Sequence, residues 1–368
     1  MNNLRIILII ILVMSSFFIL YGYAENIDSQ TAHPKIMENP VEVELLVKIG
    51  SDKENEAFFN PLSFVVDSEG RIFILDSQNS RVQCFSPEGK FLFSFGRRGD
   101  GPGELSNRPT KIKILEDGNI CIIDTLPRRI NVYNRNGQFI TSWKVQRGIY
   151  NDIELIDNKY FLSNLLLRED NKSIHIYNKS GKLEGAIGFL IEPEKGLLQE
   201  VSASQDVSLQ EFFCRARFTN ITKNSKKEII FSQTAPYRLV KYTSEGQILK
   251  DVTGEVDFGI SKYFSIFNQS GVSRIKAHFP LPMYFAPIIR EDDFIFVPFL
   301  NKERDIFYID LYDQNVTLLK RFAMPNQIAD PKENESIFQV HVDKDNNLYC
   351  LISSREKPAQ LRKYKLIF

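Results

Sequence analysis

Four glycines close the same kind of turn at near-regular intervals along this chain, and that repetition restricts the fold more than any other feature. Ser86-Pro87-Glu88-Gly89, Asn134-Arg135-Asn136-Gly137, Asn178-Lys179-Ser180-Gly181 and Thr243-Ser244-Glu245-Gly246 each precede a short apolar run. Gly137 follows Gly89 after 48 residues, Gly181 follows after 44 and Gly246 after 65. A period of ~40–50 residues with its turns in constant phase is the mark of a propeller blade. The clearest unit, within Pro61–Gly103, reads as four strands: Ser63–Asp67, Arg71–Asp76, Arg81–Ser86 and Lys90–Phe95. Each is rich in Phe, Val, Ile or Leu, and the intervening Ser, Asn, Pro and Gly residues favour turns.

The same four-strand pattern recurs. A second unit runs from Pro109 to Lys144, a third from Asp152 to Gly188, a fourth from Phe212 to Val252 and a fifth from Phe285 to Phe322. The sixth, Ile337–Phe368, ends three strands in, and the isolated apolar stretch Val43–Gly50 supplies the missing fourth. The expected fold is therefore all-β: a six-bladed β-propeller of four antiparallel strands per blade, its last blade closed by an N-terminal strand. Closure of this kind removes the open sheet edge that a broken ring would present. A pair of β-sandwiches would also give many short strands, but leaves the constant turn phase unexplained. Residues 41–368 form the expected propeller, with insertions at about 189–211 and 253–284.

The N-terminus has a different character. Arg5 precedes the apolar run Ile6–Tyr21, and Gly22 and Ala24 place small residues before the polar Glu25. This layout marks residues 1–24 as a signal peptide and the chain as exported, to the periplasm or the extracellular space. The alternative is an N-terminal membrane anchor, for which the run is shorter than the ~20 residues a spanning helix needs. Residues 25–40 are expected to be a mobile lead, and no stable membrane insertion is expected after cleavage. Cys84, Cys121, Cys214 and Cys350 each lie in an apolar strand of a different unit without CxxC spacing, which suits small buried hydrophobes better than a disulfide framework. Lys plus Arg and Asp plus Glu are equal at 46 each, so no overall field draws the chain to nucleic acid.

Phe95, Gly96, Gly99, Gly101, Gly103 and Leu105, then Pro109, Asp117-Gly118-Asn119, Asp124 and Arg129-Ile130, resemble the NHL repeat of six-bladed β-propellers, with exported bacterial-type propellers among its kin. The resemblance spans Gly50–Lys144, about two blades. It implies a propeller fold and relatives that include binding proteins, protein-interaction modules and peptide-amidating lyases. The lyases hold zinc through several inward histidines. Of the four histidines here, His33, His175, His278 and His341, only His341 falls on an inner strand facing the axis.

Two kinds of candidate residue follow. Asp76 with Arg81, and Asp124 with Arg129, are five apart across the loop between second and third strands, where a charge-assisted hydrogen bond would fix the blade. These are structural candidates. Loops joining the fourth strand to the next blade, and the second strand to the third, share one face around the pore, and loops on rigid scaffolds carry binding. That face receives Arg97, Arg98, Asp100, Arg128, Gln146, Arg147, Tyr150, Arg168, Tyr237, Arg304 and Arg355. Guanidinium groups converging on a pore suit carboxylate or phosphate. The expected partner is a small anionic ligand, a glycan or a protein. No catalytic residue and no metal ligand is assigned, and a divalent cation at the central pore, serving a lactonase-like hydrolase or amidating-lyase-like enzyme, is the competing expectation. The long segment 257–284 is read as a partial cover over the pore or a partner contact.

Overall fold

The computed structural model describes residues 41–50, 57–146, 149–164, 172–189, 219–233, 238–253, 264–269, 272–277, 283–284, 286–290, 293–301, 306–325, 328–329, 335–354 and 357–367. No helix occurs among them. The proposed signal peptide and the 25–40 lead lie outside the described residues.

After β1 (Glu42–Ile49), the first blade is β2 (Pro61–Val66), β3 (Ile72–Asp76), β4 (Arg81–Phe85) and β5 (Phe91–Phe95). The second is β6 (Pro109–Ile114), β7 (Ile120–Asp124), β8 (Arg129–Tyr133) and β9 (Phe139–Lys144). The third is β10 (Tyr150–Ile156), β11 (Lys159–Asn164), β12 (Ile174–Asn178) and β13 (Leu183–Ile187). The fourth is β14 (Thr219–Lys223), β15 (Ile229–Gln233), β16 (Arg238–Tyr242) and β17 (Ile248–Thr253). A separate hairpin follows, β18 (Phe264–Gln269) with β19 (Val272–Ala277), inside the expected second insertion. The fifth blade has its inner strand split into β20 (Met283–Tyr284) and β21 (Ile288–Ile289), both paired to β22 (Ile295–Asn301), then β23 (Ile306–Tyr312) and β24 (Leu318–Met324). The sixth is β25 (Glu335–Val342), β26 (Asn347–Ser354) and β27 (Gln360–Ile367), with β1 antiparallel to β27 as its outermost strand. The chain is a six-bladed β-propeller whose first strand completes its last blade.

Apolar clusters lie between blades rather than in one central core. Phe73, Leu75 and Val82 of blade one pack on Ile112, Ile120 and Tyr133 of blade two; Trp143 of blade two meets Tyr160 and Tyr177 of blade three. Further clusters join blades three and four, five and six, and six and one. The sheets of blades one, two, three and six are thus covered on both faces, which explains why the middle strands IFILD and ICIID are buried throughout instead of alternating. Outer strands such as β5 and β9 are largely exposed. Cys84, Cys121 and Cys350 are free and buried within these layers, and burial pushes the Cys84 thiol up to about 12. Such thiols are inert packing groups at neutral pH. Cys214 lies outside the described residues.

The repeated turns have a common cause. At the second of them the Asn134 Oδ1 accepts the N–H groups of Asn136 (3.0 Å) and Gln138 (2.9 Å), while Gly137 takes φ +78°. A Cβ there would stand 2.7 Å from the Phe95 ring of blade one, so only glycine lets the turn seat against its neighbour.

Deleting residues 42–49 removes the seam strand, strips cover from Tyr364 and Leu366 and bares the β27 edge. The thermal midpoint is expected to fall by about 10 °C or more, given that each kcal/mol shifts a domain of this size by a few degrees. A scanning-calorimetry midpoint equal to that of the intact chain would refute closure as a source of stability.

Candidate functional site: the loop face and the axial channel

Strand direction sorts the loops onto two faces. Strands β2, β6 and β10 run toward the short turns, so the loops that lead into them and the loops between second and third strands share the opposite face. On this face residues 96–108 carry the blade-one to blade-two crossing. The crossing is built around buried charge. Arg129 donates to the carbonyls of Asp100 (2.9 Å) and Glu104 (2.7 Å) and pairs with Asp124 at 3.5 Å; Asp124 accepts the Ser106 N–H at 2.8 Å and the Ser106 hydroxyl. In blade one, Arg81 pairs with Asp76 at 3.0 Å, and Asp76 accepts the Phe59 N–H at 2.7 Å. The five-residue spacing therefore produces an ion pair that also ties down the strand entering the blade. Blade four reaches the same end differently: Arg238, at the position of Arg81 and Arg129, pairs with Asp251 on the outer strand and donates to the Phe189 carbonyl at 2.9 Å.

Glu104 folds beneath the glycine-rich crossing. Its carboxylate accepts the Gly101 N–H (2.8 Å) and Arg97 Nε (2.9 Å), which hold it below the usual carboxylate range, the Gly101 N–H foremost. A Cβ at Gly99 would stand 2.0 Å from the Glu104 carboxylate, which is why this loop needs glycine there. The crossing thereby holds Arg97, with a side chain 82% exposed, and the exposed Arg98 and Asp100 on the loop face. Arg128 is exposed on the adjoining loop, with φ +52° and its carbonyl accepting the Val145 N–H at 2.9 Å. Gln146 is exposed nearby in sequence.

Tyr150 departs from expectation. It is 3% exposed and is the first residue of β10, at the position that Pro61 and Pro109 hold in the first two blades, rather than a loop residue. Its hydroxyl lies 2.6 Å from His175 Nδ1 and 2.8 Å from the Tyr177 hydroxyl, inside the layer between blades two and three. An aromatic side chain at a strand start packs into the layer instead of reaching solvent. Arg147, Arg168, Tyr237, Arg304 and Arg355 lie outside the described residues, as does the first insertion from residue 190 onward.

The second feature is the axial channel, where the sequence pointed to His341 and to no other inner-strand polar residue. The innermost strands leave one backbone edge facing the axis, and polar side chains from neighbouring blades cap it. Gln339 of blade six takes both the N–H (3.0 Å) and the carbonyl (2.8 Å) of Phe64 in blade one. Ser63 of blade one accepts the Ile112 N–H of blade two at 3.3 Å. Asp152 of blade three accepts the Ile221 N–H of blade four at 3.3 Å. By register Ser63, Lys111, Asp152, Asn220 and Gln339 are equivalent positions, and Phe64, Ile112, Ile153 and Ile221 are the residues that follow them. Two residues along, Lys113 of blade two passes the axial edge of blade three, pairing with Glu154 (2.7 Å) and donating to the Ile221 carbonyl of blade four (2.7 Å). Lys223 donates to the Leu155 carbonyl at 2.7 Å and pairs with Glu116. Burial alone would lower Lys113, but Asp152 and Glu154 outweigh it and push it up; burial lifts the Glu154 carboxyl. The signal was present in KIKI and DIELI, where charges alternate with Ile or Leu at the two-residue period of a strand and so fall on one side.

His341, on β25, packs beside Tyr349 of the layer between blades six and one, ring centroids 5.9 Å apart. Burial pushes it down to about 4, with Asp343 partly opposing. Among the described residues no group of three or more His, Cys, Asp or Glu is placed to hold a metal ion.

Comparison with known proteins agrees with this architecture. A family model described as a 6-bladed beta-propeller matches residues 54–182. Protein brain tumor of Drosophila melanogaster is 32% identical over 85 residues, 23% of this chain and 8% of that protein, so the chain spans a small part of its curated relative. Among solved structures, a Bacteroides fragilis protein described as exported aligns over 91% of this chain and 98% of its own, with a TM-score of 0.56 and 14% identity. A member of the DUF4221 family from Bacteroides vulgatus gives 0.57 over 90% and 99% at 10% identity. Virginiamycin B lyase from Staphylococcus aureus gives 0.51 over 89% and 100% at 14% identity. These likenesses define the fold class.

The His341 ring has a lower pKa folded than its ordinary 6.5, so it contributes stability that is fully present above pH 6.5 and lost as pH falls through about 4. The contribution is at most about 3 kcal/mol. Urea midpoints at pH 7 and pH 4 should draw closer together in His341→Gln than in the parent; an unchanged gap would show that the ring is not desolvated.

Proposed function

We propose that this chain is an exported, non-enzymatic binding propeller of the NHL type that recognises an anionic group of a small ligand, a glycan or a protein on its loop face. The observation that carries the reading is the crossing of residues 96–108: a buried Arg129–Asp124 pair and an internal Glu104 cap fix a loop that presents Arg97 and Arg98 outward, next to Arg128. A rigid frame with guanidinium groups at its surface binds planar anions with little loss of conformational entropy. The pattern of residues 1–24 and the fold shared with the Bacteroides fragilis protein support export.

Citrate serves as a polyanionic probe. In thermal-shift titrations it is expected to stabilise the intact chain, and the Arg97→Ala/Arg98→Ala/Arg128→Ala variant is expected to bind it about tenfold or more weakly. Equal affinity in the two proteins would defeat the loop-face assignment. A stoichiometric divalent ion in the purified, unchelated chain, with loss of a hydrolase or lyase activity on chelation, would instead favour a metal-dependent enzyme acting at the pore.

A further inference from the structure

Most polar side chains of the described channel bond a backbone group of another blade, and Lys111 does not: its one partner among the described residues is the buried Asp152 carboxylate at 3.5 Å. Ser63, Gln339, Asp152 and Lys223 each bond a backbone group of an adjoining blade, and Lys113 bonds one two blades on. Lys111 occupies the position of Ser63 and Gln339, where those residues accept an N–H from the next blade. An ammonium group has no acceptor to offer. The N–H that it would have taken, that of Ile153, is bonded at 2.9 Å by the Asp152 Oδ1 of its own strand instead.

Lys111 gains little in exchange. Among the described residues its one polar partner is Asp152 Oδ2 at 3.5 Å. That carboxylate already receives the Ile153 and Ile221 N–H groups and faces Lys113. The neighbouring charges pair off, Lys113 with Glu154 and Lys223 with Glu116, which leaves Lys111 as the counter-charge of Asp152 at a longer distance. What remains is a side chain only 13% exposed, with donor capacity left over, at the axial side of β10. Its burial depresses its pKa, Asp152 only partly offsetting this and Lys113 adding to it.

We propose that Lys111 anchors a second, axial binding seat, separate from the loop face, that takes the carboxylate end of a small monoanionic ligand. A single charge fits because one ammonium group has spare donors, while Asp152 and Glu154 stand beside it and oppose a second negative charge. The asymmetry among equivalent positions is what a functional departure from a structural pattern looks like: blades one and six keep the capping residue, and blade two gives it up.

Sodium acetate, titrated into the full chain at constant ionic strength and followed by ligand-observed NMR, is the probe. Saturable binding is expected at pH 7. Lys111→Gln is expected to weaken it about tenfold or more. Gln can offer the Ile153 N–H an acceptor, as Gln339 does for Phe64, but leaves Asp152 and Glu154 facing Lys113 alone, so the variant should melt below the parent. A single cooperative melt of this variant, well above the assay temperature, shows that lost binding is not lost fold. Acetate binding should be lost on raising the pH before an ordinary lysine would deprotonate, the groups facing Lys111 being Lys113 on its own strand and Asp152 and Glu154 on β10. Sulfate should bind more weakly than acetate. The triple loop arginine variant should keep acetate binding, so loss of the loop-face reading leaves this one standing, and the reverse. Absence of saturable acetate binding in the intact chain, equal binding in Lys111→Gln, or sulfate binding as tight as acetate would overturn the seat.

Discussion

Unpaired backbone at sheet edges is the constraint on which this structure depends. A blade is a radial sheet with one edge at the axis, and a ring of blades has in addition a seam where the chain begins and ends. Each bare N–H or C=O removed from water costs on the order of 1–3 kcal/mol. The seam is met by backbone pairing, β1 along β27. The axial edges cannot be met that way, because neighbouring inner strands diverge, and side chains take over: Gln339 for Phe64, Ser63 for Ile112, Asp152 for Ile221. Polarity in the channel is therefore in the first place a consequence of topology.

The same reasoning separates the two faces. Short turns on one face are closed by Asx-type bonds such as those of Asn134, Asn178 and Asp313, local in sequence and self-sufficient. The crossings on the other face are longer and are fixed from outside themselves. Arg129 reaches back to the crossing before its own blade, and Arg238 does likewise to Phe189. Charged groups are suited to this role because one guanidinium fork can hold several carbonyls at once. Their burial also frees the neighbouring exposed arginines from structural duty, Arg97 excepted in part through Glu104.

Blade number, strand order and the closing strand were legible because they rest on period and turn chemistry, both local properties. The Asp–Arg spacing was legible for the same reason: two residues flanking one hairpin loop must meet. Tyr150 was misplaced because strand and loop differ there by one residue, and only the layer formed with Tyr177 and Trp143 decides between them. The channel network was harder still. Lys113, Glu154 and the Ile221 carbonyl come from three successive blades, and nothing in the local sequence states which inner-strand charges will face one another across the axis. Alternation in KIKI and DIELI gives the side on which the charges fall, not their partners.

Lys111 and Lys113 show how a buried charge becomes structural or does not. Both sit two residues apart on β6, both are largely desolvated, and both approach Asp152 at 3.5 Å. Desolvating an ammonium group costs several kcal/mol and is offset only by close partners that use its donors. Lys113 has them, a carboxylate and a carbonyl each at 2.7 Å, so its charge joins three blades. Lys111 has a single long contact to a carboxylate already occupied, at a place where an uncharged residue would cap the next strand better. The fold therefore ties Lys113 into three blades, and holds Lys111 only as a distant counter-charge to Asp152 with ammonium donors to spare.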